Sequence, residues 1–226
     1  MSMAGISSAV LSMDWFMIWQ ASLETLSMTA WSLLLTVIIG LPLGVLLFLT
    51  SSQQILAHKG FYQALSLVVN ILRSVPFLIL LIVMIPLTRV LMGTALGVQG
   101  TIPPLVVSAA PFFGRLVENV LRELDPGVGE ACRAMGANPR QTVMWALLPE
   151  AMSGIAAAIV VTAITLVGYS AMSGVIGGGG LGDLAMRYGY QRFQTDITVA
   201  TVVVLVILVQ VMQLAGDFLV ARLSRK

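Results

Sequence analysis

Charge is what this chain has least of. Only 10% of its 226 residues are Asp, Glu, Lys or Arg, while 58% are apolar. A soluble domain carries about 25% charged residues, so there are too few here to solvate a globular surface. Cysteine and histidine are nearly absent too, with one of each, Cys132 and His58. A structural zinc site takes about four protein ligands and a disulfide takes two cysteines, so a single copy forms neither. Cys132 reads as a small buried hydrophobe. No Gly-x-x-x-x-Gly-Lys-[Ser/Thr] phosphate cradle occurs, and Gly177 to Asp183 is not one because no Lys follows it. An intramembrane serine hydrolase needs a base within reach of its nucleophile. The one imidazole, His58, lies a membrane thickness of about 30 Å from Ser170 in the topology derived below, which excludes that reading.

What is present is a series of long charge-free runs. None of the four charged residue types occurs between Glu24 and Lys59, from Val90 to Gly114, from Ala151 to Gly182 or from Ile197 to Gly216. Each run is long enough for a helix across the hydrocarbon. A further run near Phe61 to Pro86 is interrupted by Arg73. The expectation is an all-α integral membrane protein with five transmembrane helices, near residues 24–49, 61–85, 95–117, 151–174 and 197–220. An external tail 1–23 precedes a single transmembrane domain, 24–226, and the tail lacks the basic and apolar regions of a cleavable signal peptide. The Lys and Arg residues divide as three on one side and eight on the other. By the positive-inside rule the N-terminus is outside and the C-terminus cytoplasmic.

Arg73 supports two readings. A charge at mid-helix costs about 2.5–3.5 kcal/mol on insertion scales, so it calls for an ion pair or a substrate contact inside the bundle. Alternatively Arg73-Ser74-Val75-Pro76 marks a kink, where freed carbonyls and water accept the guanidinium hydrogen bonds and the charge is structural.

The loop 118–150 between spans three and four has a different character. Asp125-Pro126 reads as an N-cap followed by proline at the first helical position, and Gly136 suits the left-handed residue that ends the helix. Asn138-Pro139-Arg140-Gln141 repeats the start signal as a capping box, with the next helix running to Leu148-Pro149. Two short helices therefore meet at a tight turn on the cytoplasmic face. Val128, Ala131, Ala134 and Met135 fall at helical spacing while Glu130 and Arg133 project elsewhere. Such a pair fits a groove on a soluble partner or lies on lipid headgroups. A nucleic-acid-reading helix pair is a poor match, because the charges are mixed and both ends are tethered.

The run Glu130-Ala131-Cys132-Arg133-Ala134-Met135-Gly136, with Ala146-Leu147-Leu148-Pro149 after nine residues, resembles the EAA loop of ABC importer permeases. Glu130, Ala131, Gly136, Leu148 and Pro149 match the pattern, and Cys132 and Ala146 depart from it. Asn70 to Phe77, Met84 to Arg89, Ala110-Pro111-Phe112, Arg133 to Ala137 and Ile164 to Met172 narrow the likeness to the MetI-like permeases, and within them to methionine importers. The resemblance implies a homodimeric pore in the bacterial cytoplasmic (inner) membrane, fed by an external methionine-binding protein. The pore docks through the EAA coupling helices (Glu130, Ala131, Arg133, Gly136, Asn138, Leu148, Pro149) onto two copies of an ABC ATPase. The chain itself is then no enzyme and holds no cofactor, ATP and Mg belonging to the partner. Permeases for another small amino acid or an osmolyte share the motif. A proton-coupled secondary transporter more often carries a carboxylate near the bilayer centre, whereas Glu24 and Asp217 lie near expected span ends.

In span four Thr162, Thr165, Tyr169 and Ser173 recur on one helical face. This stripe, with Ser170 and Met172, either lines the path at the dimer centre or hydrogen-bonds packed helices. Met172 suits a gate, since a flexible thioether fills a narrow apolar constriction and moves aside. The glycine run reads as a flexible or close-packed external loop, or as a direct substrate contact.

Overall fold

Hydrocarbon offers no partner to a backbone N–H or C=O, and every regular element among the described residues is accordingly helical. The computed structural model describes residues 15–224 apart from 53 and 55, so the tail expectation for residues 1–14 lies outside the described residues. In chain order the elements are α1 (Trp15–Thr50), α2 (Lys59–Ser74), α3 (Phe77–Val83), α4 (Ile85–Met92), α5 (Gly97–Arg122), α6 (Pro126–Ala134) and α7 (Pro139–Gln141). A π-helical stretch, Thr142–Leu147, leads into α8 (Leu148–Glu150) and α9 (Met152–Ser173). A 3₁₀ turn, Gly174–Ile176, precedes α10 (Gly180–Leu184), a second π-helical stretch, Ala185–Tyr190, and α11 (Thr195–Leu223).

Four stretches are long and apolar enough to cross a membrane: Trp15–Thr50, Gly97–Arg122, Met152–Tyr190 and Thr195–Leu223. The expected second span is not one helix. Lys59–Ser74 and Phe77–Val83 qualify only together, bent by 99° at the break. Val75 there is extended, at φ −77° and ψ 123°, because a residue before proline is disfavoured in the α region and Pro76 has no N–H to donate. The first span starts at Trp15, ahead of residue 24. Glu24 lies inside the helix, where its carboxylate accepts the Gly180 N–H at 2.7 Å, so this charge does not mark a helix end.

The chain forms two interleaved compact units. One comprises residues up to Ser32 with Phe77–Leu105 and Ile164–Met212; the other comprises Leu33–Pro76, Val106–Ala163 and the chain from Gln213. The core of the first includes Ile18, Ala21, Leu181 and Leu184. The second is centred on Phe48, Phe113, Val117, Leu121, Val143 and Leu147. In that second unit α1 and α5 approach closely. A Cβ on Gly40 would lie 2.8 Å from the Phe113 ring, and one on Gly44 would lie 2.5 Å from the Gly114 carbonyl oxygen. Gly40 and Gly44 are thus one side of a small-residue contact of the kind that lets membrane helices pack by dispersion alone.

Burial separates the spans by role. The apolar window of Gly97–Arg122 is 67% buried within the chain and that of Thr195–Leu223 only 6%. α5 is an inner helix, and α11 presents its sides to lipid or to another protein.

Candidate functional site

The 118–150 segment folds as its capping residues dictate. Asp125 accepts the Gly127 N–H at 2.7 Å with Pro126 opening α6. Gly136 has φ +75° and donates to the Arg133 carbonyl at 3.0 Å, while Ala137 donates to Cys132 at 3.0 Å. That pair of bonds is a Schellman ending, which needs a left-handed residue that glycine supplies without a Cβ penalty. Asn138 and Gln141 close a reciprocal capping box, both bonds at 2.9 Å. The second short helix does not stop at Leu148-Pro149. It widens into the π-helical stretch before Pro149, with the Leu148 N–H reaching the Val143 carbonyl, and continues to Glu150. A wide turn gives the Pro149 ring room that a regular α-turn lacks.

These caps fix which side chains face out. Cys132 is buried, Val128 half-buried, and Glu130, Ala131, Arg133 and Gly136 are exposed. Val143 and Leu147 anchor the second helix in the core of their unit. Large apolar groups nevertheless face outward on this segment: Met135 is 78% exposed, Trp145 77% and Met144 61%. Behind α6 lies a polar cavity of about 280 Å³ whose walls include Arg122, Asp125, Glu130 and Arg133.

On α9 the polar stripe divides. Thr162, Ser170 and Ser173 are buried, and their hydroxyls donate to carbonyls of their own helix, Ala158 at 2.7 Å, Val167 at 2.8 Å and Ser170 at 2.6 Å. Thr165 and Tyr169 are half-buried, and Tyr169 stacks on Phe77 with ring centroids 4.6 Å apart. Met172 is half exposed. Gly168, on the exposed side, has nothing within 4 Å of where a Cβ would stand.

The glycine run is close-packed in its unit. Gly180 and Leu181 donate to Glu24 and to the Thr25 hydroxyl, and Thr101 donates to the Gly178 carbonyl at 3.3 Å. His58 has a local task, its Nδ1 accepting the Phe61 N–H at 3.1 Å as the N-cap of α2.

A polar ladder joins α2 to α5, and sequence reasoning missed it. Tyr62, Ser66, Asn70 and Arg73 share one face of α2; Phe112, Arg115, Glu118 and Arg122 share one face of α5. Glu118, 1% exposed, accepts from Arg115 at 2.6 Å, from Arg122 at 2.7 Å and from Tyr62 at 3.1 Å. Arg115 also donates to Ser66 and, at 3.1 Å, to Asn70. The Arg73 guanidinium lies over the Phe112 ring, 6.0 Å from its centroid. The signal was available as the helical spacing of Arg115, Glu118 and Arg122, which the search for charge-free runs passed over.

A family model described as a binding-protein-dependent transport system inner membrane component matches residues 40–226. The chain belongs to that family. It is an inner-membrane permease component, not the ATPase. It is 55% identical over 151 residues to the D-methionine transport system permease protein MetI of Escherichia coli strain K12, covering 67% of this chain and 70% of the relative. The protein named "Probable D-methionine transport system permease protein MetI" in Vibrio cholerae is 45% identical over 206 residues, 91% of this chain and 92% of that one. Among solved structures, an inward-facing MetNI methionine ABC transporter chain superposes with a TM-score of 0.90 at 47% identity, covering 99% of both chains. An amino acid ABC transporter solved with histidines shares the fold, at a TM-score of 0.74, 18% identity and coverage of 91% of this permease and 94% of that chain.

Proposed function

We propose that this permease translocates methionine inward across the inner membrane as a homodimer, with ATP and Mg bound and hydrolysed on two separate ABC ATPase subunits. An external methionine-binding protein delivers the solute. The N-terminus is outside, the C-terminus is cytoplasmic, and the 118–150 segment faces the ATPases. The observation that carries this reading is the tightly capped turn at Gly136, with Met135, Met144 and Trp145 exposed on the same segment. Apolar side chains that large, on a segment carrying the match to the EAA pattern, are a surface made to be covered by protein.

In this mechanism closure of the ATPases pulls on α6 and α7. The caps make the turn stiff, so displacement at Glu130 and Gly136 passes through Val143 and Leu147 into the core of their unit and on to the spans. The exposed side of α9, with Thr165, Gly168 and Met172, lines the path at the dimer centre, and Met172 narrows it. Tyr169 is held to one side by its stack on Phe77. Ser170 and Ser173 keep α9 in register from behind.

The test is uptake of labelled L- and D-methionine by cells lacking the chain, before and after it is restored, with unlabelled amino acids as competitors. Energy-dependent uptake that returns with the chain and is competed selectively by methionine supports the reading. Absence of restored uptake, with the protein and its ATPase present in the membrane, overturns methionine as the solute.

A further inference from the structure

The ladder between α2 and α5 is complete except at one end. Glu118 has both oxygens occupied, one by Arg115 and the other by Arg122 and Tyr62. Arg115 turns its Nη2 to Ser66 and Asn70. Arg73, at the other end of this face, has no carboxylate partner among the described residues. Among the described residues its contact is the π face of Phe112, which attracts a cation but accepts no in-plane hydrogen bond. Among the described residues of this unit the ion pairs are the two that Glu118 makes. The kink itself is present, with Val75 extended and the helices bent by 99°, and the kink reading leaves the Arg73 guanidinium to water and freed carbonyls.

Position sharpens this. Arg73 lies in the last turn of α2, two residues before extended Val75, and it is exposed. With Lys59 at the cytoplasmic interface, as in the proposed topology, and α2 along the bilayer normal, the rise of about 21 Å from Lys59 to Arg73 puts the guanidinium inside a hydrocarbon layer of about 30 Å. A cation there faces water or an anion rather than lipid tails. A planar five-donor fork with free N–H groups matches a carboxylate in bidentate geometry.

We propose that Arg73 is a binding subsite for the carboxylate of the transported amino acid, with Phe112 holding the guanidinium plane and the Glu118 ladder fixing α2 beneath it. This rests on the proposed function, since an amino acid must be the solute. The ladder leaves that one fork unfilled in each copy, so a homodimer carries two such subsites. A phosphate oxygen of an anionic lipid has the same acceptor chemistry, and the experiment separates the two sources.

The experiment uses the intact permease–ATPase complex in vesicles of neutral lipid and, separately, of neutral lipid with phosphatidylglycerol. A diazirine analogue of methionine is photolysed and its attachment to the permease chain is counted by mass spectrometry. Methionine or methioninol, which lacks the carboxylate, is the competitor, and the chain is wild type, Arg73→Lys or Arg73→Gln. Labelling of the wild type is expected in both lipids, displaced by methionine and not by methioninol. It should fall about tenfold or more in Arg73→Gln and return only in part in Arg73→Lys, whose point charge lacks the bidentate fork. Equal labelling of Arg73→Gln, or equal competition by methioninol, overturns the proposal. So does an Arg73→Gln defect seen only with phosphatidylglycerol, which assigns Arg73 to a lipid phosphate. Thermal unfolding of each complex reports assembly, and Arg73→Lys supplies the comparison if Arg73→Gln fails to assemble. Wild-type vesicles that import no methionine disprove the functional reading, whereas wild-type transport with unaltered Arg73→Gln labelling disproves the subsite alone.

Discussion

Arg115 and Glu118, one turn apart on α5, form an ion pair of 2.6 Å in which the carboxylate is 1% exposed. Burial makes the pair asymmetric in its consequences. Removing Glu118 strands two guanidinium groups, while removing Arg122, whose side chain is 42% exposed, takes away a cation that water already reaches and leaves Glu118 paired with Arg115. Glu118→Ala should therefore destabilise the assembled protein by about 3–5 kcal/mol, and Arg122→Ala by about 1 kcal/mol. Thermal unfolding in detergent or lipid measures both. Equal effects for the two variants would mean that the Glu118 carboxylate is solvated after all.

Gly136→Val places a β-branched residue at φ +75°. Left-handed backbone costs an ordinary L-residue about 1–2 kcal/mol, and the Schellman bonds to Cys132 and Arg133 are the ones at risk. The core anchors Val143 and Leu147 are untouched, so the chain should still insert. We expect transport and co-purification of the ATPase to drop sharply in Gly136→Val and to survive in part in Gly136→Asn, since asparagine tolerates that region. Normal uptake by Gly136→Val would remove the turn from the coupling mechanism.

Local signals such as these were legible before any coordinates. The caps at Asp125, Gly136 and Asn138 depend on residues within five positions of each other, and the structure has all of them. The helical fold and the permease family were legible as well, from charge-free runs and from the Glu130 to Pro149 pattern. Features that depend on which helix faces which were not. Glu118 looked like the edge of a loop because its partner Tyr62 is distant in sequence, and the acceptor role of Glu24 was hidden because Gly180 is distant as well. The division of the α9 stripe was hidden for a different reason. Periodicity gave a face but not its direction, and the serines turned inward to their own carbonyls.

Two glycines should respond in opposite ways to a side chain. At Gly44 an added Cβ meets the Gly114 carbonyl and Val117, both on the buried α5. Gly44→Val should abolish assembly. At Gly168 a Cβ meets nothing within 4 Å, and mid-helix Gly→Ala is worth about 0.5–1 kcal/mol in propensity. Gly168→Ala should therefore assemble at least as well as wild type. Any loss of transport it shows must come from what lies outside this chain, a second copy or the solute itself. The pairing of thermal stability with uptake separates these cases, and loss of assembly in Gly168→Ala would place α9 against a neighbour that the isolated chain lacks.

Met172 tests the path most directly. Its side chain is 49% exposed on the outward side of α9, while Ser173 beside it is fully buried. The thioether is thus free to fill a constriction and to swing out of it without disturbing the helix. Met172→Ala removes most of that volume and leaves the packed side of α9 intact, so thermal stability should stay within about 0.5 kcal/mol of wild type. With the constriction widened, ATP-independent leak of small solutes through vesicles should rise, or the range of competing amino acids should broaden toward bulkier ones. Met172→Leu restores apolar volume with a stiffer side chain and should reduce the leak again. Unchanged leak and selectivity in both variants would leave Met172 as a packing residue at the partner face and move the gate elsewhere on α9.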